Sequence, residues 1–194
     1  DFVPNNFSEL VAFAKKQGEK VTFAHAGVGS ASQLCGMLFM STIQTKLTQV
    51  PYKGGGPLMN DLIGRQVDMG CEQATSATPP IQSKRIKGYA VTTKARLQSL
   101  PDLPTADEAG LKGFALGVWH GLYAPAGTPA PIVQKLSSAL QGALKDPELI
   151  AEGRKSKMDL EYTPGDQAQK ILVDVMHQPK DIVQEFAKYI KFGE

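Results

Sequence analysis

The sequence predicts an α/β fold with a mostly parallel sheet flanked by helices. Three segments have the short apolar pattern of strands: residues 21–25, 47–52 and 67–71. Each is followed by turn residues and then by apolar residues at helical spacing. Strands that alternate with helices in this way form βαβ units, so parallel pairing is expected. A chain of 194 residues is long enough to bury the core of one large domain or of two small ones.

Capping signals predict where the first two helices begin and end. Asn6 and Glu9 have the spacing of a capping box, and Gly18 is typical of a helix end. Ser30 and Gln33 form a second capping box after the first strand. The helix that follows is predicted to place its apolar face at Leu34, Met37 and Leu38.

Glycine and proline mark the next two helices. Pro57 is predicted at a first helical position, and Gly64 is predicted to end that helix. The segment Thr78-Pro79-Pro80 is predicted to begin a short helix that ends near Lys84. A fourth strand is predicted at residues 89–92.

The alternating pattern ends after the fourth predicted strand. Residues 94–113 include the segment Leu100-Pro-Asp-Leu-Pro-Thr105, whose prolines exclude a helix interior or a central strand. We predict an irregular segment here, followed by a crossing strand at residues 116–124.

The remaining sequence is predicted to be helical. Three helices should begin at Thr128-Pro129, Asp146-Pro147 and Thr163-Pro164, the last one kinked at Pro179. Their apolar faces need a surface to cover, because helices pack on a sheet or on each other. A small bundle, a sheet from another chain and a sheet from residues outside this chain all satisfy that need, and we favour the last. The apolar positions are Ile132, Val133, Leu136, Leu140, Ile171, Leu172, Val175, Ile182, Val183 and Phe186.

Charge and hydropathy exclude two classes of partner. The net charge is +2 with acidic and basic residues interspersed, so no basic surface for nucleic acid is predicted. The densest basic cluster, Lys84-Arg85-x-Lys87, is expected to complement a helix dipole. No apolar run approaches the ~18 residues that a membrane-spanning helix needs. The chain begins at Asp1 without a signal-peptide pattern, so any targeting segment is expected to have been removed.

The two cysteines, Cys35 and Cys71, do not form a CxxC pair. Cys35 falls in a helical pattern and Cys71 at the end of a strand pattern. We expect two buried thiols, in preference to a disulfide or a pair of metal ligands. Cysteine content therefore leaves the cellular compartment open.

Three strand ends carry polar or glycine-rich segments, and each precedes a helix start. Parallel α/β sheets bind ligands beyond the carboxyl ends of their strands, and the unpaired N–H groups of a helix N-terminus favour an anion. Ordinary turns and helix caps use the same residue types, so any one segment alone is weak evidence. Together they predict an anion site at Ala26-Gly-Val-Gly-Ser-Ala-Ser32, Tyr52-Lys-Gly-Gly-Gly56 and Glu72-Gln-Ala-Thr-Ser-Ala-Thr78.

Other kinds of site have less support. Gly27-x-Gly29 is half of a dinucleotide fingerprint, but Ser32 occupies the third glycine position and no P-loop lysine follows. His25 and Cys35 are a weak candidate for a catalytic thiol–imidazole pair. The three histidines, His25, His120 and His177, lack metal-ligand spacing. Trp119 and His120 either line a cleft or pack within the crossing strand.

Several motifs in a fixed order closely resemble the Bug family, the periplasmic solute-binding receptors of tripartite tricarboxylate transporters. The resemblance covers essentially the whole chain. Its motifs are Ala26-Gly-Val-Gly-Ser30, Val50-Pro-Tyr-Lys-Gly-Gly-Gly-Pro57, Asp61-Leu-Ile-Gly-Arg-Gln-Val-Asp68, Leu103-Pro-Thr-x-x-Glu-Ala-Gly110 and Gly121-Leu-Tyr-Ala-Pro-Ala-Gly-Thr-Pro129.

The resemblance implies a two-lobed periplasmic binding protein of type II, a Venus flytrap without cofactor, metal or enzymatic activity. Its ligand would be a dicarboxylate, a tricarboxylate, an aromatic carboxylate or an amino acid. Glu72 stands where the family usually has Asp, and Gln73 where it often has Asn. The ligand-binding residues implied are Ala26, Gly27, Gly29, Ser30, Ser32, Tyr52, Lys53, Gly54, Glu72, Gln73 and Thr75.

Members of the family are longer, and no segment here resembles the strand and the Pro/Gly-rich loop that begin their first lobe. We therefore expect residues 1–114 to be the second lobe and residues 115–194 the returning part of an incomplete first lobe. Candidate hinges are residues 1–4 and 116–119. The implied partners are a carboxylate ligand and the membrane components of a transporter, and exposed helix faces suggest a homodimer or exchanged elements. The alternatives are a nucleotide-dependent enzyme and a solute-sensing module of a membrane signalling protein.

Overall fold

The computed structural model describes residues 2–118, 120–156, 158 and 160–176. Within that range, residues 2–118 belong to one compact unit and the residues from 120 to 176 to a second. Each unit is described by itself below. Among the helices of these residues, none combines the length and apolarity needed to cross a bilayer.

The first unit contains a three-stranded parallel sheet. Its strands are β1 (Thr22–His25), β2 (Thr48–Pro51) and β3 (Met69–Gly70), in the order β2-β1-β3. The register pairs His25 with Pro51 and Ala24 with Gly70. The prediction of a parallel α/β sheet is therefore confirmed, although β3 is shorter than the predicted strand at residues 67–71.

Four α-helices connect and flank these strands. Asn6 caps the first by accepting from the Glu9 amide at 2.9 Å. The Glu9 carboxylate accepts from the backbone amide of Asn5, and from the side-chain amide of Asn6 instead of its backbone amide. Gly18, at φ 55°, ends this helix as predicted, and a short 3₁₀ helix follows. The helices are α1 (Phe7–Gln17), α2 (Ala31–Ile43), α3 (Gly55–Ile63) and α4 (Ala74–Gln82).

The start of α4 was predicted wrongly. The helix begins at Ala74, so Pro79 and Pro80 lie in its interior and not at its first turn. Thr78 is fully buried and does not cap the helix. Proline lacks an N–H group, so the two prolines leave earlier carbonyl groups of the helix without their usual donors. The loss is confined to the hydrogen bonds that Pro79 and Pro80 would donate within α4.

The predicted strands at residues 89–92 and 116–124 do not form. Val91 makes one isolated parallel bridge to Thr105 and joins no named strand. Residues 94–113 are irregular, as predicted. Leu116 is held by Thr92 through its amide and its carbonyl oxygen, at 2.7 Å each. Across residues 116–124, the residues that the structure describes belong to no strand, and Trp119 lies outside them.

The core of the first unit lies between α2 and the sheet. The predicted apolar face of α2 is only partly correct, because Met37 is buried while Leu34 and Leu38 are half-buried. Gly36 is required for close packing: a Cβ there would lie 2.4 Å from the Phe23 ring of β1. The helix is therefore buried on more than one side. Its other buried apolar residues are Cys35, Phe39 and Ile43.

The expectation of free thiols is wrong, because Cys35 and Cys71 form a disulfide. Their Cα atoms are 6.2 Å apart, within the range that a disulfide spans. Cys35 lies in α2 and Cys71 directly follows β3. The bond therefore joins a flanking helix to the carboxyl end of a strand.

A lysine fixes the start of the chain to the first unit. Lys87 Nζ donates to the carbonyl oxygens of Phe2 and Pro4, at 2.8 and 3.0 Å. The Tyr89 hydroxyl also donates to Pro4. Lys87 thus anchors the entering segment, whereas Lys84 and Arg85 follow the end of α4, where the basic cluster was predicted.

The second unit contains three helices at the predicted places. They are α5 (Ala130–Ala143), α6 (Pro147–Lys155) and α7 (Gly165–Met176). Asp146 caps α6 by accepting from the amides of Glu148 and Leu149. The predicted kink at Pro179 and the apolar positions 182, 183 and 186 lie outside the described residues. The apolar side chains of α5 are largely solvent-exposed, at 51% for Ile132 and 43% each for Val133 and Leu136.

Candidate functional site

The loop after β1 lies beside the segment after β2. The Tyr52 amide donates to the carbonyl oxygen of His25 at 2.9 Å, and the Gly54 amide donates to that of Ala26 at 3.0 Å. These bonds continue the pairing of β1 with β2 past the ends of both strands. Residues 26–32 and 52–54 therefore form one continuous surface.

The segment after β3 completes this surface. Glu72 follows the end of β3 by two residues, and β3 pairs with β1 through Gly70 and Ala24. One Glu72 carboxylate oxygen lies 2.9 Å from where a Cβ of Gly55 would be, at the first residue of α3. We call residues 26–32, 52–54 and 72–75 the strand-end surface.

The side chains of the loop 26–32 are largely engaged within the loop. Ser32 Oγ accepts from the Ala26 amide at 2.8 Å, and Ser30 Oγ donates to the Gly27 carbonyl oxygen at 2.7 Å. The two hydroxyl groups are also 3.0 Å apart. Gln33 Oε1 accepts from the Gly29 amide at 2.8 Å. The Gly29 amide and the hydroxyl groups of Ser30 and Ser32, which were predicted to contact a ligand, thus form hydrogen bonds that hold the loop in shape.

The first amides of α2 remain available for a ligand. In the described part of the chain, the amides of Val28, Ala31 and Ser32 donate to no protein acceptor. Ala31 is the first residue of α2, where the helix dipole adds partial positive charge. Unpaired amides at a helix N-terminus bind anions.

Glycine is required at position 27. Its φ of 119° is disfavoured for any residue with a side chain, and a Cβ there would lie 3.1 Å from the Tyr52 carbonyl oxygen. Both the backbone conformation of Gly27 and the close approach of Tyr52 therefore exclude a side chain at position 27.

The His25 side chain forms a hydrogen bond with the loop 26–32. It is 2% exposed, and its Nδ1 lies 3.0 Å from the Gly27 carbonyl oxygen, so Nδ1 carries the proton in this bond. Cys35 is bonded to Cys71. The thiol–imidazole pair considered from the sequence therefore does not exist. Among the described residues, no group of three or more His, Cys, Asp or Glu side chains is placed to hold a metal ion.

The segment 52–54 contributes the Tyr52 ring, which is held by a hydrogen bond, and the exposed cation of Lys53. The Tyr52 hydroxyl donates to Asp61 Oδ2 at 2.7 Å, and this hydrogen bond raises the pKa of the tyrosine. Asp61, on α3, was not predicted as a site residue, although it begins one of the recognised motifs. Lys53 is exposed, and Gly54 caps α3 at φ 103°.

The third segment carries a half-buried carboxylate. Burial raises the pKa of Glu72, opposed by hydrogen bonds from the Ser76 hydroxyl and the Gln73 amide. Ser76 Oγ lies 3.1 Å from Glu72 Oε2. Gln73 and Thr75 are exposed at the start of α4.

The two best-formed cavities of the described residues lie elsewhere. One, of about 390 Å³, is lined by the start of α1, Tyr89 and Asp102 among others. The other, of about 180 Å³, lies among Thr93, Glu108 and Phe114. Neither contains a residue of the strand-end surface, which is an open edge and not an enclosed pocket.

A family comparison decides what kind of protein carries this surface. Residues 1–187 match the model of the TctC family, the tripartite tricarboxylate transporter family receptor. The chain belongs to the TctC family. That assignment confirms the resemblance to Bug receptors and the periplasmic-binding-protein fold.

Individual relatives agree with the family assignment. The chain is 54% identical over 150 residues to a UPF0065 protein from the TAR-I ttuE-ttuC' intergenic region of Agrobacterium vitis, covering 77% of this chain and 43% of that protein. The solved periplasmic binding protein BugD is 42% identical, with a TM-score of 0.77 over 97% of this chain and 63% of that one. MatC of Rhodopseudomonas palustris, solved with bound malate, is 33% identical, with a TM-score of 0.75 over 97% and 62%.

The chain spans about half the length of the curated TctC relatives it matches, 43% of the Agrobacterium protein and 57% of BugT from Bordetella pertussis. It spans 62–63% of the solved receptors BugD and MatC.

Besides Asp61, sequence reasoning missed three contributors to the strand-end surface. Gln33 appeared only as a capping residue, yet its buried side chain holds the Gly29 amide. Ser76 lay within a predicted site segment but was not singled out, and it contacts Glu72. The disulfide was rejected. The capping-box spacing signalled Gln33, whereas the other two depend on tertiary placement.

Replacing Glu72 by Gln is expected to stabilise the first unit at neutral pH. Burial raises the pKa of Glu72, so the folded state holds that proton more tightly than the unfolded state does. The contribution of protonated Glu72 to the free energy of unfolding is fully present below the pKa of the unfolded state. It is lost as pH rises through the pKa of the folded state. Urea unfolding of the wild type and of Glu72→Gln should therefore differ most at pH 7 and converge at acidic pH. A difference that is the same at every pH would contradict this account.

Proposed function

We propose that this chain is part of a periplasmic receptor that captures a small organic carboxylate for a tripartite tricarboxylate transporter. One observation carries the proposal: the unpaired amides of Val28, Ala31 and Ser32 lie at the carboxyl edge of a parallel sheet and at the start of α2. The loop that presents them is fixed by its own hydroxyl groups and by Gln33. A rigid group of N–H donors binds an anion at low entropic cost.

Relatives support the ligand class and the compartment. MatC was solved with malate, and BugD is a periplasmic binding protein. Disulfides persist in oxidising compartments such as the periplasm, which favours the same location for a chain that contains the Cys35–Cys71 bond. In this proposal the receptor acts without cofactor or catalysis, and its protein partners are the membrane components of the transporter.

Neither alternative from the sequence gains support. A nucleotide on Gly27-x-Gly29 would need the Gly29 amide, which Gln33 occupies. A solute-sensing module would use the same site and differ only in the protein that recognises the bound form.

We propose that residues 1–114 are one lobe and residues 115–194 part of another, so that this chain carries one side of a cleft. The open strand-end surface and the exposed apolar residues of α5 support this arrangement. The proposed hinges are residues 1–4 and 116–119. Lys87 holds Phe2 and Pro4, and Thr92 holds Leu116. Bending is therefore proposed to occur beyond these anchored points.

Isothermal titration calorimetry of the complete gene product tests the proposed function. Malate, succinate, adipate, citrate, benzoate and aspartate form the ligand panel, with glucose as an uncharged control. At least one carboxylate should show saturable binding, and glucose should show none. The proposal fails if no member of the panel binds.

The isolated 194-residue chain is expected to bind the same carboxylate more weakly and to self-associate. The first effect follows because one side of the cleft is missing, and the second because Ile132, Val133 and Leu136 are exposed. Calorimetry and light scattering on the chain measure both. Equal affinity in the two proteins, or a monomer at all concentrations, would contradict the lobe assignment.

A further inference from the structure

The ammonium group of Lys87 holds the entering chain at three points. Its Nζ donates to the carbonyl oxygens of Phe2 and Pro4 at 2.8 and 3.0 Å, and to Asn5 Oδ1 at 3.3 Å. A lysine ammonium has three N–H donors, so these three acceptors use all of them. In the described part of the chain, Lys87 forms no ion pair with a carboxylate. Its hydrogen bonds are therefore devoted to holding residues 2–5.

Tyr89 holds the same segment from two residues further along the chain. Its hydroxyl donates to the Pro4 carbonyl oxygen at 2.9 Å. Burial raises the pKa of Tyr89 to about 12, so the hydroxyl keeps its proton at neutral pH. The Phe2 ring contacts the rings of Tyr89 and Phe13, with centroids 6.4 and 5.2 Å apart. The segment is therefore fixed both by hydrogen bonds and by ring contacts.

The same stretch of chain, residues 87–92, also holds the departing chain. The Leu116 amide donates to the Thr92 carbonyl oxygen, and the Thr92 hydroxyl donates to the Leu116 carbonyl oxygen, at 2.7 Å each. The neighbouring Val91 is buried and forms a backbone bridge to Thr105, which fixes this stretch within the first unit. Both the entering and the departing chain are therefore attached to one short stretch.

We propose that Lys87 is a positioning residue of the receptor, which shortens the flexible part of the hinge and thereby raises the affinity for the carboxylate without contacting it. The inference rests on the proposed receptor function and on the hinge proposed at residues 1–4. With Lys87 in place, residues 2–5 stay with the first unit when the receptor closes, so bending occurs before Phe2. Without it, residues 2 and 3 add conformations to the open form. Closure must then remove these conformations, and the affinity falls.

Lys87→Met in the complete gene product tests this inference, because methionine keeps an unbranched apolar stem and loses all three donors. The carboxylate that the wild type binds in the calorimetric panel should bind about tenfold more weakly, the factor that corresponds to ordering the backbone of one additional residue. Small-angle X-ray scattering measures the open form. The radius of gyration of the ligand-free variant should exceed that of the ligand-free wild type, whereas the two ligand-saturated proteins should scatter alike.

Two further variants make the test specific. Lys84 is an exposed lysine three residues earlier, and its side chain has no hydrogen bond or ion pair among the described residues. Lys84→Met should therefore keep the affinity and the scattering of the wild type. Tyr89→Phe removes one hydrogen bond to Pro4 and should show both changes of Lys87→Met at a smaller size, so the test does not depend on one variant. Circular dichroism confirms that each variant is folded.

The outcomes separate this inference from the function on which it rests. Wild-type affinity in Lys87→Met, or an equal loss of affinity in Lys84→Met, overturns the role of Lys87 and leaves the receptor function standing. A lower affinity with unchanged ligand-free scattering also overturns it, because the loss then does not arise from the hinge. Failure of every carboxylate to bind the wild type overturns the proposed function and this inference with it.

Discussion

Gly27→Ala is expected to abolish measurable carboxylate binding while leaving the protein folded. The substitution places a Cβ 3.1 Å from the Tyr52 carbonyl oxygen at a φ of 119°. Holding a non-glycine residue in such a conformation costs about 1–3 kcal/mol, so the loop is expected to move. Because the Val28, Ala31 and Ser32 amides depend on the loop for their common direction, a shift of this segment disperses the donors. Calorimetry measures the affinity and urea unfolding measures the stability.

Gly110→Ala is the matched control for this prediction. Gly110 has a similar φ of 105°, but no atom lies within 4 Å of its added Cβ. This variant should lose a comparable amount of backbone stability and keep its affinity. Wild-type affinity in Gly27→Ala would show that the loop does not hold the ligand.

Reduction of the Cys35–Cys71 disulfide is expected to lower the free energy of unfolding by about 4 kcal/mol, the loop-entropy value for a separation of 36 residues. The bond closes a segment that contains most of α2, all of β2 and α3, and β3. Removing it enlarges the unfolded ensemble. Urea unfolding with and without reductant measures the change.

The double variant Cys35→Ala, Cys71→Ala controls for other effects of the reductant. It should have the stability of the reduced protein, apart from the cost of the lost sulfur atoms, and should not respond to reductant. Identical unfolding midpoints for the oxidised and reduced wild type would show that the bond contributes nothing to stability.

The parallel sheet and the polar segments at its carboxyl edge were predictable because local signals agree there. Capping residues, glycine and short apolar runs all place turns at the same points, and the carboxyl ends of parallel strands meet at one edge. The loop 26–32 shows this most clearly: its capping pair, Ser30 and Gln33, both act at the start of α2, although Gln33 reaches the Gly29 amide instead of that of Ser30.

The errors arose where tertiary contacts override local signals. Pro79 and Pro80 suggested a helix start, but α4 begins four residues before the predicted Thr78, which is buried within the helix. The segment around Val91 has the composition of a strand, yet it makes a single bridge to Thr105. Cysteine pairing across 36 residues has no local signature, since it depends on how α2 lies over the end of β3.

The internal hydrogen bonds of the loop also changed the expected role of its residues. The sequence suggested that Gly29, Ser30 and Ser32 would contact the ligand directly. In the structure the Gly29 amide and both hydroxyl groups hold the loop in shape. The available donors are the backbone amides of Val28, Ala31 and Ser32, the kind of donor that the sequence predicted at the start of α2.

Amide chemical shifts during a carboxylate titration test the central claim most directly. In ¹⁵N-resolved NMR spectra of the complete gene product, the carboxylate that binds in the calorimetric panel should produce its largest saturating shifts at Val28, Ala31 and Ser32. The Gly29 amide, bonded to Gln33, should shift less. Saturating shifts that leave the loop 26–32 unchanged and fall elsewhere would contradict the assignment of this loop as the carboxylate site.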